Sequence, residues 1–190
     1  MSFRPPQALA ARWRPVGVAG LEHLDLRREG GAIVADSVVI GTRGGVPYGL
    51  RYRLVCRDDW VTRSLDIATT DGRSLRLRSD GDGAWTDGEE LPLAHLDGCV
   101  DVDLAGSPFT NTLPIRRAGL RAGGDPVEFR MAYVPFDTFE PAVDGQCYRC
   151  LEAGRLYRYE AADRTFTADI AVDGDGLVTD YPGLFARTDI

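Results

Sequence analysis

The chain contains no lysine; all 22 of its basic residues are arginine. That removes a Schiff-base amine and a lysine general base from the available chemistry. Arginine almost never deprotonates, so the remaining cations can only position and stabilise anions. Histidine is nearly as scarce, with His23 and His95 the only two, and no G-x-S-x-G nucleophile elbow occurs. Two methionines are too few for a Met-rich adaptable groove. No stretch of 18 apolar residues exists, so no membrane-spanning helix is expected. The opening MSFRPPQALAARWRP lacks an apolar segment of signal-peptide length and is interrupted by Pro5-Pro6. A cytoplasmic protein is expected, with its four cysteines as free thiols. The formal net charge of -7 argues against nucleic acid as a partner, because phosphate binding needs a basic face.

What is present is a strand grammar. At 44% hydrophobic, 190 residues can bury a core, and residues 1–190 read as one domain. Alternating or β-branched runs recur at short intervals, each closed by Gly, Asp or Pro. They cover Leu21–Leu26, Ala32–Ile40, Tyr48–Cys56, Trp60–Thr69 and Ser74–Ser79 in the first half. The second half adds Cys99–Leu104, Ile115–Leu120, Val127–Val134, Gln146–Leu151, Leu156–Glu160, Phe166–Val172 and Leu177–Asp180. Leu50, Tyr52, Leu54 and Cys56 share one face of their run. No long 3.6-residue period appears. The expectation is an all-β, antiparallel fold of roughly a dozen strands, curled into a roll, an incompletely closed barrel or two packed sheets.

Metal and cofactor signals are weak. Cys147-x-x-Cys150 would place its thiols on opposite faces of a strand, and a structural zinc site needs a second ligand pair. The acidic turn Ser79–Gly83 lacks the spacing of a calcium loop. No cofactor and no metal is expected. Asp101 and Asp103 share one face of their run, either solvated or lining a polar part of a cavity. SPFTNTLPIRR, residues 107–117, interrupts the alternation; Ser107, Thr110, Asn111 and Thr112 can satisfy its backbone locally. If Arg116 and Arg117 follow on a strand, one points inward, and it must then either meet an anionic ligand or pair with Asp101 or Asp103. Tyr181–Phe185 is a second irregular, aromatic-rich stretch, suited to plugging the open end of the core.

At CVDVDLAGSPFTNTLPIRR (Cys99–Arg117) and VDGDGLVTDYPGLFAR (Val172–Arg187) the chain resembles a bacterial family of glycolipid-binding proteins. The shorter RWRP (Arg12–Pro15), GLEHLDL (Gly20–Leu26) and LYRYE (Leu156–Glu160) extend the resemblance over nearly the whole length. It implies a spiral antiparallel β-roll, similar in shape to bacterial lipoprotein carriers, with a lipid or glycolipid held in an apolar cavity and no catalysis. On that reading Asp101, Asp103, Asn111, Thr112, Arg116, Arg117 and Tyr181 are the candidate ligand-binding residues. The alternative is a hydrolase acting on a glycolipid or small apolar ester, with Asp101 or Asp103 as acid/base beside an inward Arg. Edge strands of an open roll would offer a route to a homodimer.

Overall fold

A computed structural model describes residues 3–188. Seven strands run through the first half: β1 (Leu9–Pro15), β2 (Leu21–Glu29), β3 (Ala32–Arg43), β4 (Val46–Arg57), β5 (Thr62–Thr69), β6 (Ser74–Ser79) and β7 (Trp85–Thr86). Seven follow in the second: β8 (Asp101–Leu104), β9 (Val127–Val134), β10 (Ala142–Glu152), β11 (Leu156–Ala161), β12 (Thr167–Val172), β13 (Val178–Tyr181) and β14 (Phe185–Thr188). Among the described residues the one α-helix, α1 (Thr112–Arg117), lies between β8 and β9. All 14 strands form a single open sheet, in the order β7-β6-β5-β4-β3-β2-β1-β14-β13-β12-β11-β10-β9-β8. The first meander steps outward from the centre and the second steps back to it. The two chain ends therefore meet at the middle, where Trp13 of β1 lies opposite Arg187 of β14.

Glycine pairs set the longest hairpins. Gly30-Gly31 and Gly44-Gly45 hold positive φ at both turn positions, as a two-residue turn matched to strand twist requires. Strict alternation then sorts the side chains. Leu26, Ala35, Leu54 and Leu65 face one another across β2 to β5 and are buried. Outward positions carry charge instead, with Arg27 and Arg53 both bonded to Asp36. Strands β1 and β14 escaped the sequence reading. The run Ala11-Arg12-Trp13-Arg14 does alternate, with Ala11 and Trp13 buried.

The stretch 107–117 is helical, which corrects the strand expected over Ile115–Leu120. Its helix-start signals prevail over its short β-like run. Ser107 caps a 3-10 turn (Pro108–Asn111), its Oγ accepting from the Phe109 amide at 3.2 Å. Pro108 sits where the first turn needs no donor. Helix α1 continues from there, so Arg116 and Arg117 do not take opposite faces as strand neighbours would. The crossing from β8 to β9 over residues 105–126 also lets those two strands run parallel, the single parallel pair in the sheet among the described residues.

This segment fills the roll. Phe109 and Leu113 pack in a core shared with Leu24, Leu54 and Leu77 of the first meander. Ile115 packs in a second core with Met131, Tyr148 and Ile170. The interior that was expected to hold an acyl chain is thus occupied by the chain's own apolar residues. The curled sheet is fastened where its outer ends meet. The Gly98 amide donates to the Gly83 carbonyl at 2.9 Å, and Trp85 Nε1 donates to the Cys99 carbonyl at 2.7 Å. The edge strands β7 and β8, of two and four residues, are thereby short and tied to each other, which leaves little edge for a second copy.

The seam predicts its own weak point. A Cβ on Gly83 would lie 3.0 Å from the Gly98 Cα, and the φ of +105° is strained for any L side chain. Gly83→Ala should therefore lower stability by about 2 kcal/mol, read as a fall in the urea midpoint. An unchanged midpoint would show that the seam does not hold the roll.

A candidate ligand-binding cleft

A cleft of about 180 Å³ opens between the β1–β2 turn, the β3–β4 hairpin, the β13–β14 turn and the start of the helical plug. Its walls include Trp13, Val39, Tyr48, Phe136 and Phe185. At its rim stand the exposed aliphatics Val16, Val18, Leu21, Ile40 and Leu184. Gly41 and Gly106 keep it open in a specific way. A Cβ on either would come within 2.8 Å of the Tyr48 hydroxyl oxygen, and one on Gly106 within 2.6 Å of the Phe136 ring. The two bare backbones let both rings lie along the cleft, edge to face at 5.6 Å. Wider grooves, of about 700 to 790 Å³, cross the outer surface. Charged side chains line much of two of them, which therefore lack the apolar lining that a site for an apolar ligand has. The third, of about 700 Å³, sets Phe3, Trp60, Ile115, Leu120 and Tyr157 beside the predicted Arg116 and Arg117, with Asp58, Asp59 and Arg121 also on its wall.

Among the described residues Glu22 and Arg43 are the only charged side chains lining the cleft. Arg43 is at the rim, 3.3 Å from Asp137. Glu22 is at the floor, only 2% exposed. The alternation of β2 puts it there: Glu22 shares its face with Leu24 and Leu26, both buried. Three hydroxyls converge on one of its oxygens. Tyr52 donates to Oε1 at 2.6 Å, and Ser37 and Ser107 each donate to it at 2.9 Å. These donors come from β4, β3 and the cap of the plug. The other oxygen, Oε2, is buried with no hydrogen-bond partner. Burial dominates the electrostatics, raising the carboxyl from its ordinary 4.5 to about 7 against the opposing pull of the three hydroxyls. Glu22 lines the cleft, is poised between acid and base at neutral pH, and has one buried oxygen without a partner. Sequence reading passed over it, although the spacing Glu22, Leu24, Leu26 within GLEHLDL marks a carboxylate on the core face.

The residues singled out from sequence lie elsewhere. Asp101 is fully buried and held by Arg117 through two bonds, Nη2 to Oδ2 at 2.6 Å and Nε to Oδ1 at 3.2 Å. Burial raises the Asp101 carboxyl and Arg117 works against that rise. Asp103 accepts from Thr110 Oγ1 and from Gln146 Nε2, each at 2.8 Å. Burial raises its carboxyl too. Asn111 and Thr112 are buried within the plug rather than standing at a mouth. Asn111 Oδ1 accepts from the Tyr148 hydroxyl at 3.0 Å. Arg116 stacks over Trp60 at 4.5 Å and donates to the backbone carbonyls of Asp175 and Arg4. Tyr181 is buried among Tyr159, Phe166 and Phe185. The structure therefore joins Asp101 with Arg117 and Asp103 with the plug, and brings none of the seven to the cleft. Their neighbours Ala105, Gly106 and Gly183–Phe185 line it, and Ser107 bonds to the Glu22 carboxyl beneath. His23 and His95 make separate surface contacts, with Arg12 and with the Pro141 carbonyl.

Comparison with known proteins bears on this arrangement. The family described as "Putative glycolipid-binding" matches residues 10–187. The chain belongs to that family. The match takes in both long motifs, and with them Glu22, Ser107 and the turn before β14. The crystal structure of a DUF1089 family protein from Pseudomonas aeruginosa is similar, at 40% identity and a TM-score of 0.76, covering 88% of this chain and 92% of that one. A beta-barrel-like protein of the DUF1849 domain from Brucella abortus covers 99% of both chains at 9% identity and a TM-score of 0.49, too slight a likeness to argue from. No curated protein matches the chain. No described helix is long and apolar enough to cross a membrane.

The Glu22 environment has a consequence for stability. Because burial raises its carboxyl to about 7, the folded protein holds this proton more tightly than the unfolded chain does. Stability should then fall as pH rises from about 4.5 to about 7, by about 3 kcal/mol in all, and level off above that. Asp101 and Asp103 shift in the same direction, so the informative quantity is a difference between proteins. Glu22→Gln should flatten the slope of urea-unfolding free energy across this window. Parallel slopes for the two proteins would mean that Glu22 titrates as an ordinary carboxyl.

Proposed function

We propose that this protein binds an amphiphile of the glycolipid kind, without catalysis, at the cleft above Glu22. The observation that carries the reading is the cleft's polarity gradient: a buried carboxylate at the floor, aromatic walls, and five exposed aliphatic side chains around the opening. The family description points to the same class of ligand. A volume of about 180 Å³ is below the roughly 300–1,000 Å³ of sites that engulf a whole drug-sized ligand. The cleft therefore takes a head group or a chain end, and the remaining chain lies across the aliphatic rim. Each methylene so covered contributes about 0.8 kcal/mol when fully buried, and less on a half-open surface. The proposal thus replaces the acyl-filled interior with a surface cleft, because the plug already occupies the interior.

The hydrolase reading has less support. Both Asp101 oxygens are committed to Arg117, and both Asp103 oxygens to Thr110 and Gln146. A cytoplasmic location belongs to the preferred reading, since the four free thiols would stay reduced there.

Native mass spectrometry after incubation with glycolipids, fatty acids and phospholipids tests the proposal. Retained ligand is expected for the wild type, with at least tenfold less on the double variant Val18→Asp, Ile40→Asp. Both positions are more than half exposed, at 56% and 54%, so the substitutions should not disturb the fold. Equal retention by wild type and variant would remove the rim from the site, and no retention of any amphiphile by the wild type would sink the reading.

A further inference from the structure

The cleft's chemistry is more selective than its shape. An anionic head group entering it would meet a second buried negative charge, in a low-dielectric space with a single arginine at the distant rim. That arginine, Arg43, is already engaged by Asp137 and by the Tyr133 hydroxyl. Around Glu22 the groups that face it from each packed element are hydroxyls: Ser37 on β3, Tyr52 on β4 and Ser107 on the plug. Tyr48, also on β4, feels its charge. From β1 the cleft receives the indole of Trp13, whose N–H is committed to the Val178 carbonyl at 2.7 Å. No described cation therefore neutralises Glu22 by direct contact.

The hydrogen-bond inventory of the floor is equally one-sided. An ionised carboxylate only accepts. Oε1 already takes three donors, so its capacity is spent, whereas Oε2 takes none. An unpartnered carboxylate oxygen that is almost fully buried is an uncommon and costly arrangement. It becomes favourable when something entering the cleft supplies a donor. A hydroxyl does so without bringing charge, and such charge-assisted bonds are about twice as strong as neutral ones.

We propose that the cleft selects an uncharged, hydroxyl-bearing head group, which donates a hydrogen bond to Glu22 Oε2, and discriminates against amphiphiles with a phosphate or carboxylate head. This rests on the cleft being the ligand site, and it adds the chemical class of the head group and the atom that reads it. Binding of the neutral head is coupled to the loss of the Glu22 proton. Affinity for a neutral glycoside therefore rises with pH through neutrality. Affinity for an anionic amphiphile falls over the same range, because the protonated carboxyl can donate to an anion and the ionised one repels it. With a carboxyl raised to about 7, the ionised fraction goes from about one tenth at pH 6 to about nine tenths at pH 8. The expected gain for the neutral head is therefore close to tenfold.

Two probes with the same tail isolate the head group: octyl β-glucoside and octyl phosphate, each used below its micelle concentration. Isothermal titration of the wild type at pH 6 and pH 8 should show the glucoside binding about tenfold tighter at pH 8, and the phosphate at least tenfold weaker there than the glucoside. Glu22→Gln, checked for a cooperative thermal transition, should abolish the pH dependence for the glucoside, which has no ionisable group of its own in this range. Glucoside binding that ignores pH in the wild type overturns the inference while leaving the cleft as the site. So does phosphate binding as tight as the glucoside at pH 8. If neither probe binds the wild type at either pH, the site reading itself fails. The wild-type comparison decides these outcomes even if the variant does not fold.

Discussion

Three hydroxyl groups meeting on one oxygen of Glu22 form the junction on which both halves of this fold depend. Tyr52 and Ser37 bring β4 and β3 to that oxygen, and Ser107 brings the cap of the helical plug. The last contact spans 85 positions of sequence and fixes where the plug enters the roll. The carboxyl sits on the core face of β2 because strand alternation leaves it no other place. Burial raises the free energy of its charge, and the hydroxyls recover part of that cost while leaving Oε2 unmatched. One interaction thus anchors the plug, fixes the floor of the cleft and keeps a titratable atom in reserve.

The sheet around this junction is open but fastened. Its outer ends meet through the Gly83–Gly98 contact, and its centre joins the two chain ends. The plug supplies what a roll of this curvature would otherwise lack, an interior. Polar residues inside it are matched locally: Asp101 with Arg117, and Asp103 with Thr110 and Gln146. Those pairs specify the position of α1 and have their oxygens occupied. Glu22 is different because half of its carboxylate remains uncommitted. Thr62 and Thr112 also have buried, unmatched hydroxyl oxygens, but neither lines the cleft, and an unmatched hydroxyl is a smaller loss than an unmatched carboxylate oxygen.

Much of the fold was legible from period-two patterning. The run Leu50, Tyr52, Leu54, Cys56 faces inward as its alternation predicts, and Val127–Val134 is a strand over the range its pattern marks. The failures have physical causes. Residues 115–120 look β-like only when separated from Ser107-Pro108, whose capping chemistry starts the helical segment eight residues earlier. That segment is too short to show a helical period. The candidate site was harder to see, since Glu22 draws its character from Ser37, Tyr52 and Ser107, which are distant in sequence. The local signal was a single carboxylate in phase with two buried leucines. Asp101 and Asp103 drew notice because they are paired in sequence, yet tertiary partners consume both.

The central claim is that the Glu22 carboxyl titrates near neutrality and that its free oxygen receives the ligand. The most direct measurement is a carbon-13 NMR titration of the Glu22 side-chain carboxyl, in the free protein and with saturating octyl β-glucoside. A midpoint near 7 that moves lower when the glucoside is bound is the predicted result, because a hydroxyl donor stabilises the ionised form. A midpoint near the ordinary 4.5, or one the glucoside leaves unmoved, would contradict the account.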